Sequence, residues 1–174
     1  MITDTNFKDT PICTFIATSI IVVFLLFYFK LISSVKCTKS IDTIIINNFV
    51  HVDFLHLLSN LYALYSISRV EKDMGIKSFV GLLVFLLIIN SLAEFFIQFI
   101  WKDSPCTIGF SGILFGLFTW ELTYKNKIDS QLILAIILMV IQPSLHNEKV
   151  SLSGHIIGAV SGIIAGFLWK FINK

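Results

Sequence analysis

Six apolar segments, near residues 11–34, 56–70, 78–101, 109–124, 131–145 and 153–172, follow one another with short links between them. The links carry most of the charges. A chain patterned this way has little choice of solvent. Only 14% of its 174 residues are charged and 56% are hydrophobic, whereas a soluble domain averages about 25% charged. In hydrocarbon each backbone polar group must be satisfied internally, which makes each segment a helix. The expected fold is an all-α membrane protein, one domain over 1–174, built as a six-transmembrane-helix bundle. The first apolar run, Pro11 to Phe29, exceeds the 7–15 residues of a signal-peptide core, and no small-residue cleavage site follows. It reads as a retained helix. The net charge of +2 comes without a basic run, so nucleic acid is not an expected partner. The lipid bilayer is.

The fourth segment is short. From Ile108 to Trp120 it covers roughly 20 Å against a hydrocarbon core of about 30 Å. With Tyr124 and Lys125 at one interface, Ser111 lies several ångströms below the other. A hydroxyl at that depth, in Gly109-Phe110-Ser111-Gly112, calls for a reason.

Lysine and arginine counts orient the chain. The N-terminus, second link, fourth link and C-terminus hold Lys8, Arg69, Lys72, Lys77, Lys125, Lys127, Lys170 and Lys174, eight in all. The other links hold Lys30, Lys36, Lys39, Lys102 and Lys149, five in all. The bias places both termini in the cytosol. The second, fourth and sixth helices then all begin on the non-cytosolic side. Their first turns carry His56 and Asn60, then Ser111, then His155, and these can converge.

A serine hydroxyl is a weak nucleophile until a base takes its proton. His155 is the natural base for Ser111. Their contact requires two helices to pack closely. Gly112 and Gly116 on the fourth segment, and Gly158, Gly162 and Gly166 on the sixth, form the small-residue stripes that allow this. Oxyanion stabilisation could come from the Ser111 backbone N–H at a helix N-terminus, and from His56 and Asn60 on one helix face. No acidic residue stands in those first turns, so the simplest unit is a Ser–His dyad. Phe115, one turn beyond Ser111, can stack on the imidazole. The polar link from Lys102 to Thr107 must dip inward, which predicts a water-filled cavity open to the non-cytosolic side.

Each feature has a plainer reading. A lone G-x-S-G is weak, and serine between glycines in a membrane helix is most often packing. His155 alone fits a headgroup-level histidine. His56 and Asn60 could be an interhelical hydrogen-bond pair. His51, Asp53 and His56 match no standard zinc spacing, and neither metal nor cofactor is expected. Cys13, Cys37 and Cys106 read as small hydrophobes, although Cys37 and Cys106 would share a membrane side. Glu94, an intramembrane acid, more readily joins a buried polar stripe with Asn90 and Gln98 than a site of its own.

Taken together, these residues resemble the rhomboid intramembrane serine proteases. The similar stretches are His51-Val-Asp-Phe-Leu-His56-Leu-Leu-Ser-Asn60, Glu71-Lys-Asp-Met-Gly75, Gly109-Phe-Ser111-Gly112 and His155-Ile-Ile-Gly158-Ala-Val-Ser-Gly162. The resemblance implies a rhomboid-like bundle with a short central fourth helix. It makes Ser111 the nucleophile and His155 the general base. His56, Asn60 and the Ser111 N–H become the oxyanion hole, with Gly109, Gly112, Phe115, Gly158, Gly162 and His51 in support. Glu71 and Gly75 match a structural motif of the family. It implies cleavage of single-pass membrane proteins within or beside their transmembrane segments, with lateral substrate entry beside the second and fifth helices and the fifth link as a lid. One departure stands out: many members carry Trp-Arg nine residues before the position of His51, where this chain has Asp42-Thr43. The first link is therefore expected to sit differently. The alternative within the family is an inactive relative that binds transmembrane clients for trafficking or degradation. Such relatives typically lack the serine or histidine, and this chain has both. A transporter or channel would call for repeats or several intramembrane charges; only Glu94 is of that kind.

Overall fold

The computed structural model describes residues 9–32, 40–101, 107–125, 130–145 and 152–172. Each apolar segment contains a helix. They are α1 (Pro11–Tyr28), α3 (Phe54–Ile67), α5 (Ile76–Ile100), α6 (Ser111–Lys125), α7 (Ser130–Leu145) and α8 (Leu152–Ile172). Two short helices are additional: α2 (Ile41–Asn47) in the first link and α4 (Arg69–Met74) after α3.

Three boundaries depart from the sequence reading for local reasons. The first segment was expected to run to 34, but α1 stops at Tyr28. The Leu31 N–H bonds the Leu26 carbonyl and the Lys30 N–H that of Phe27, with Lys30 left-handed at φ 56°. This is a Schellman stop with a lysine where glycine is usual. The second segment, expected as one helix over 56–70, starts two residues earlier and breaks at Ser68. Asp53 caps its start by accepting the His56 N–H at 2.8 Å. At Ser68 both the hydroxyl and the N–H turn back to the Tyr65 carbonyl, a side-chain bond that competes with the helix ladder. The first link, read as a charged connection that sits differently from the family's, is helical at Ile41–Asn47. Ser40 and Thr43 share a hydroxyl bond of 2.8 Å, and hydrogen bonds from Ser40 and then Thr43 hold the Asp42 carboxyl below its usual range. The Asp42-Thr43 pair thus forms the first turn of α2. Ile44 faces inward while Ile41, Ile45 and Ile46 stay exposed.

Only α1, α5 and α8 are long and apolar enough, among the described residues, to cross a membrane on those grounds alone. Their outward faces carry Phe15, Phe99, Ile100, Phe167 and Phe171, all strongly exposed. Contiguous exposed apolar surface of this kind belongs in lipid, and the protein is an integral membrane protein. In contrast, nine of the fifteen residues of α6 are buried, and it touches α3, α5, α7 and α8. The short helix is the centre of the bundle. Leu64, Ile67, Leu82 and Leu86 are fully enclosed around it, as are its own Leu117 and Trp120.

Polar anchors fix this packing. Buried Glu71 accepts the Ile12 and Cys13 N–H groups at 2.9 and 2.8 Å, capping the first turn of α1 from 58 residues away. Gly75 ends α4 at φ 78°, a conformation that strains any residue with a side chain. Arg69 pairs with Glu121 at 3.2 Å, and Lys125 with Asp73, so both bind α4 to the far end of α6.

Candidate active site

The site is built where α6 begins. Gly109 turns the chain at φ 99°, and its N–H bonds the Asn47 carbonyl at 2.9 Å. A Cβ at Gly109 would lie 2.6 Å from the His56 ring, so glycine here satisfies both the turn and the approach of the imidazole. Phe110 is buried against Phe49, with ring centroids 5.8 Å apart. Ser111 follows as the first residue of α6, 6% exposed. The helix end offers it unpaired N–H groups and a positive dipole.

His155 sits in the first turn of α8. Its Nε2 lies 2.9 Å from Ser111 Oγ, and its ring is tilted 35° over Phe115 at a centroid distance of 4.6 Å. Glycines account for this proximity. A Cβ at Gly158 or Gly162 would come within 1.9 Å of the carbonyl oxygens of Gly112 or Gly116. At Gly166 it would meet Thr123 at 2.6 Å. The two stripes interlock along the α6–α8 contact. Thr119 adds a bond not foreseen from sequence: its hydroxyl donates to the Ala159 carbonyl at 2.8 Å. Its place one turn from Gly116 was the available signal.

The remaining candidates divide. His51 and His56 are edge to face at 4.9 Å, beside Gly109. His51, between α2 and α3, is fully buried, and neither ring nitrogen has a hydrogen-bond partner among the described residues. Burial, and then the neighbouring His56, push its pKa down to about 3, so the ring is neutral. Asn60 is 1% exposed and donates to the His56 carbonyl at 2.9 Å, leaving its own Oδ1 buried and without a partner among the described residues. Neither His56 nor Asn60 is hydrogen-bonded to Ser111. Asp53 serves the α3 cap.

On the other side of Gly112 a small pocket of about 10 Å³ is lined by Ile44, Asn48, Asn90, Ser91, Glu94 and Thr107. That is room for about one water. Asn90, Glu94 and Gln98 are all buried along α5, the stripe expected from their spacing. Most of the Lys102–Thr107 link, the fifth link with its lid role, and Cys37 and Cys106 lie outside the described residues.

A membrane-embedded helical bundle that holds a serine at the start of a central helix against a histidine defines the class. Residues 38–170 match the family model described as the Rhomboid domain, and the chain belongs to the rhomboid family. It is 26% identical over 146 residues to "Putative rhomboid protein L523" of Acanthamoeba polyphaga mimivirus, covering 83% of this chain and 85% of that one. It is 34% identical over 144 residues to "Rhomboid-like protein 15" of Arabidopsis thaliana, covering 70% of this chain but 35% of the relative.

Proposed function

We propose that the protein is an intramembrane serine endopeptidase that cuts peptide bonds in or next to the transmembrane segments of single-pass membrane proteins. The observation that carries this reading is the 2.9 Å contact of His155 Nε2 with Ser111 Oγ at the N-terminus of a buried helix. Family membership supports it.

In this mechanism His155 takes the Ser111 proton as Oγ attacks the scissile carbonyl. The new oxyanion is met by the Ser111 N–H, His56 and Asn60. His155 then returns the proton to the leaving amine. The same imidazole next removes a proton from water, which hydrolyses the acyl-enzyme and frees Ser111. Phe115 holds the ring plane, and no metal or cofactor takes part. In this reading α1, α3, α5, α6, α7 and α8 each cross the membrane, both termini are cytosolic, and the site opens to the non-cytosolic side.

The test is incubation of the purified protein with a membrane substrate of one helix. Cleavage is expected, and its loss in Ser111→Ala and His155→Ala with folding intact. Retained cleavage in Ser111→Ala would sink the proposal. An intact protein whose Ser111 resists a fluorophosphonate probe would instead mark an inactive client-binding relative.

A further inference from the structure

Glu94 stands between buried Asn90 and Ser91 on one side and buried Gln98 on the other along α5, and is 3% exposed. A carboxyl at this depth is costly unless it is put to use. It takes part in none of the ion pairs among the described residues.

One hydroxyl reaches it: Ser153 Oγ donates to Glu94 Oε1 at 3.4 Å, the long end of a hydrogen bond. Thr107 lines the same small pocket as the carboxyl. Their positions along the chain give this placement meaning. Ser153 lies two residues before His155, in the first turn of α8. Thr107 lies four residues before Ser111, in the strand of chain that enters α6. One side chain on a third helix thus holds the first turn of α8 beside the chain that leads into Ser111. The second oxygen, Oε2, is buried without a partner among the described residues, as is Ser91 Oγ one turn away. Both residues line the small pocket beside Gly112 and Gly154.

We propose that Glu94 is a positioning residue that sets the register of His155 against Ser111 through Ser153. The glycine stripes draw α6 and α8 together side by side from Gly112–Gly158 onward. In the first turn of α8 Gly154 already meets Gly112, whose added Cβ would lie 3.1 Å from the Gly154 carbonyl oxygen. That end is where the 2.9 Å contact lies, and the Glu94 carboxyl adds a polar tie from α5 to it. The inference rests on the protease reading above.

The experiment uses the full chain in detergent and four variants: Glu94→Ala, Glu94→Gln, Ser153→Ala and the double variant Glu94→Ala/Ser153→Ala. The readouts are kcat and KM on a transmembrane substrate, the labelling rate of Ser111 by a fluorophosphonate, and the unfolding midpoint. Glu94→Ala is expected to lower kcat and the labelling rate at least tenfold while KM stays within twofold. Misplacing a reacting group by a fraction of an ångström has that kind of effect. Glu94→Gln keeps one carbonyl acceptor and should recover part of the loss. Ser153→Ala should reproduce part of it, and should add less than twofold on top of Glu94→Ala, because the two act through one bond. Full additivity overturns the proposal, as does a labelling rate that falls only in step with the unfolding midpoint. Should Glu94→Ala not fold, the double variant becomes Glu94→Gln/Ser153→Ala and the same criterion of non-additivity decides. A labelled parent with an unchanged Glu94→Ala overturns this inference alone; an unlabelled parent overturns the protease reading and this inference with it.

Discussion

The Cβ that Gly158 lacks would fall 1.9 Å from the carbonyl oxygen of Gly112. Ordinary contact is more than an ångström longer, and the obstacle is backbone, which cannot rotate aside. Gly158→Ala must therefore push α8 away from α6. His155 rides on the same first turns, and its 2.9 Å contact with Ser111 does not survive such a shift. Cleavage is expected to fall at least about 100-fold, with a lower unfolding midpoint in detergent. Gly81→Ala is the control, because nothing lies within 4 Å of its added Cβ; it should leave cleavage intact. Equal activity in Gly158→Ala and the parent would contradict the packing argument.

What was legible in the sequence was whatever depends on spacing within one helix. Gly112 and Gly116, and Gly158, Gly162 and Gly166, mark one face each by their four-residue interval, and from them the meeting of Ser111 with His155 follows. Phe115 falls over the imidazole for the same reason. Less legible were features set by partners far along the chain. Glu71 caps α1 across 58 residues, and Arg69 reaches Glu121 across 52; no local pattern announces either. The break at Ser68 was hidden because no glycine or proline marks it; one hydroxyl diverts the backbone. The short helix at Ile41–Asn47 was hidden by its length, and its Asp42-Thr43 pair looked like a missing motif rather than a first turn.

Low pH should weaken the fold through His51. Unfolded, this imidazole takes up a proton near pH 6.5. Folded, burial and then His56 keep it neutral down to about 3. Its folded pKa is the lower one, so between those values the unfolded chain binds a proton that the folded chain does not. Stability is complete above pH 6.5 and drains away as the pH falls from 6.5 towards 3, by up to about 1.4 kcal/mol per unit. The unfolding midpoint should drop between pH 7.5 and 5 in the parent, and drop less in His51→Gln. Identical slopes would show that His51 does not contribute.

The Glu71 carboxylate holds two N–H groups at the first turn of α1. Removing it leaves both donors buried and unpaired, at about 1–3 kcal/mol for each. Glu71→Ala should lower the unfolding midpoint by several degrees and expose α1 to proteolysis while α6 and α8 remain packed. Glu71→Gln retains an acceptor without the charge and should fall between the two. Limited proteolysis with mass spectrometry locates the first cut. A cut that appears elsewhere before α1 would count against the cap.

His56 offers the sharpest test of how the site works. Its ring lies 2.6 Å from where a Gly109 Cβ would be, beside the entry to Ser111, yet it makes no hydrogen bond to Ser111 itself. A donor kept out of the resting dyad is available when negative charge develops on the substrate oxygen. His56→Ala should then lower kcat by about 10²–10³ with KM little changed, the signature of an interaction made only in the transition state. Asn60→Ala should lose less, because one of its amide hydrogens is already committed to the His56 carbonyl. Steady-state kinetics on a transmembrane substrate separate the alternatives. A rise in KM at constant kcat would make His56 a substrate-binding residue and leave the Ser111 N–H as the main oxyanion donor.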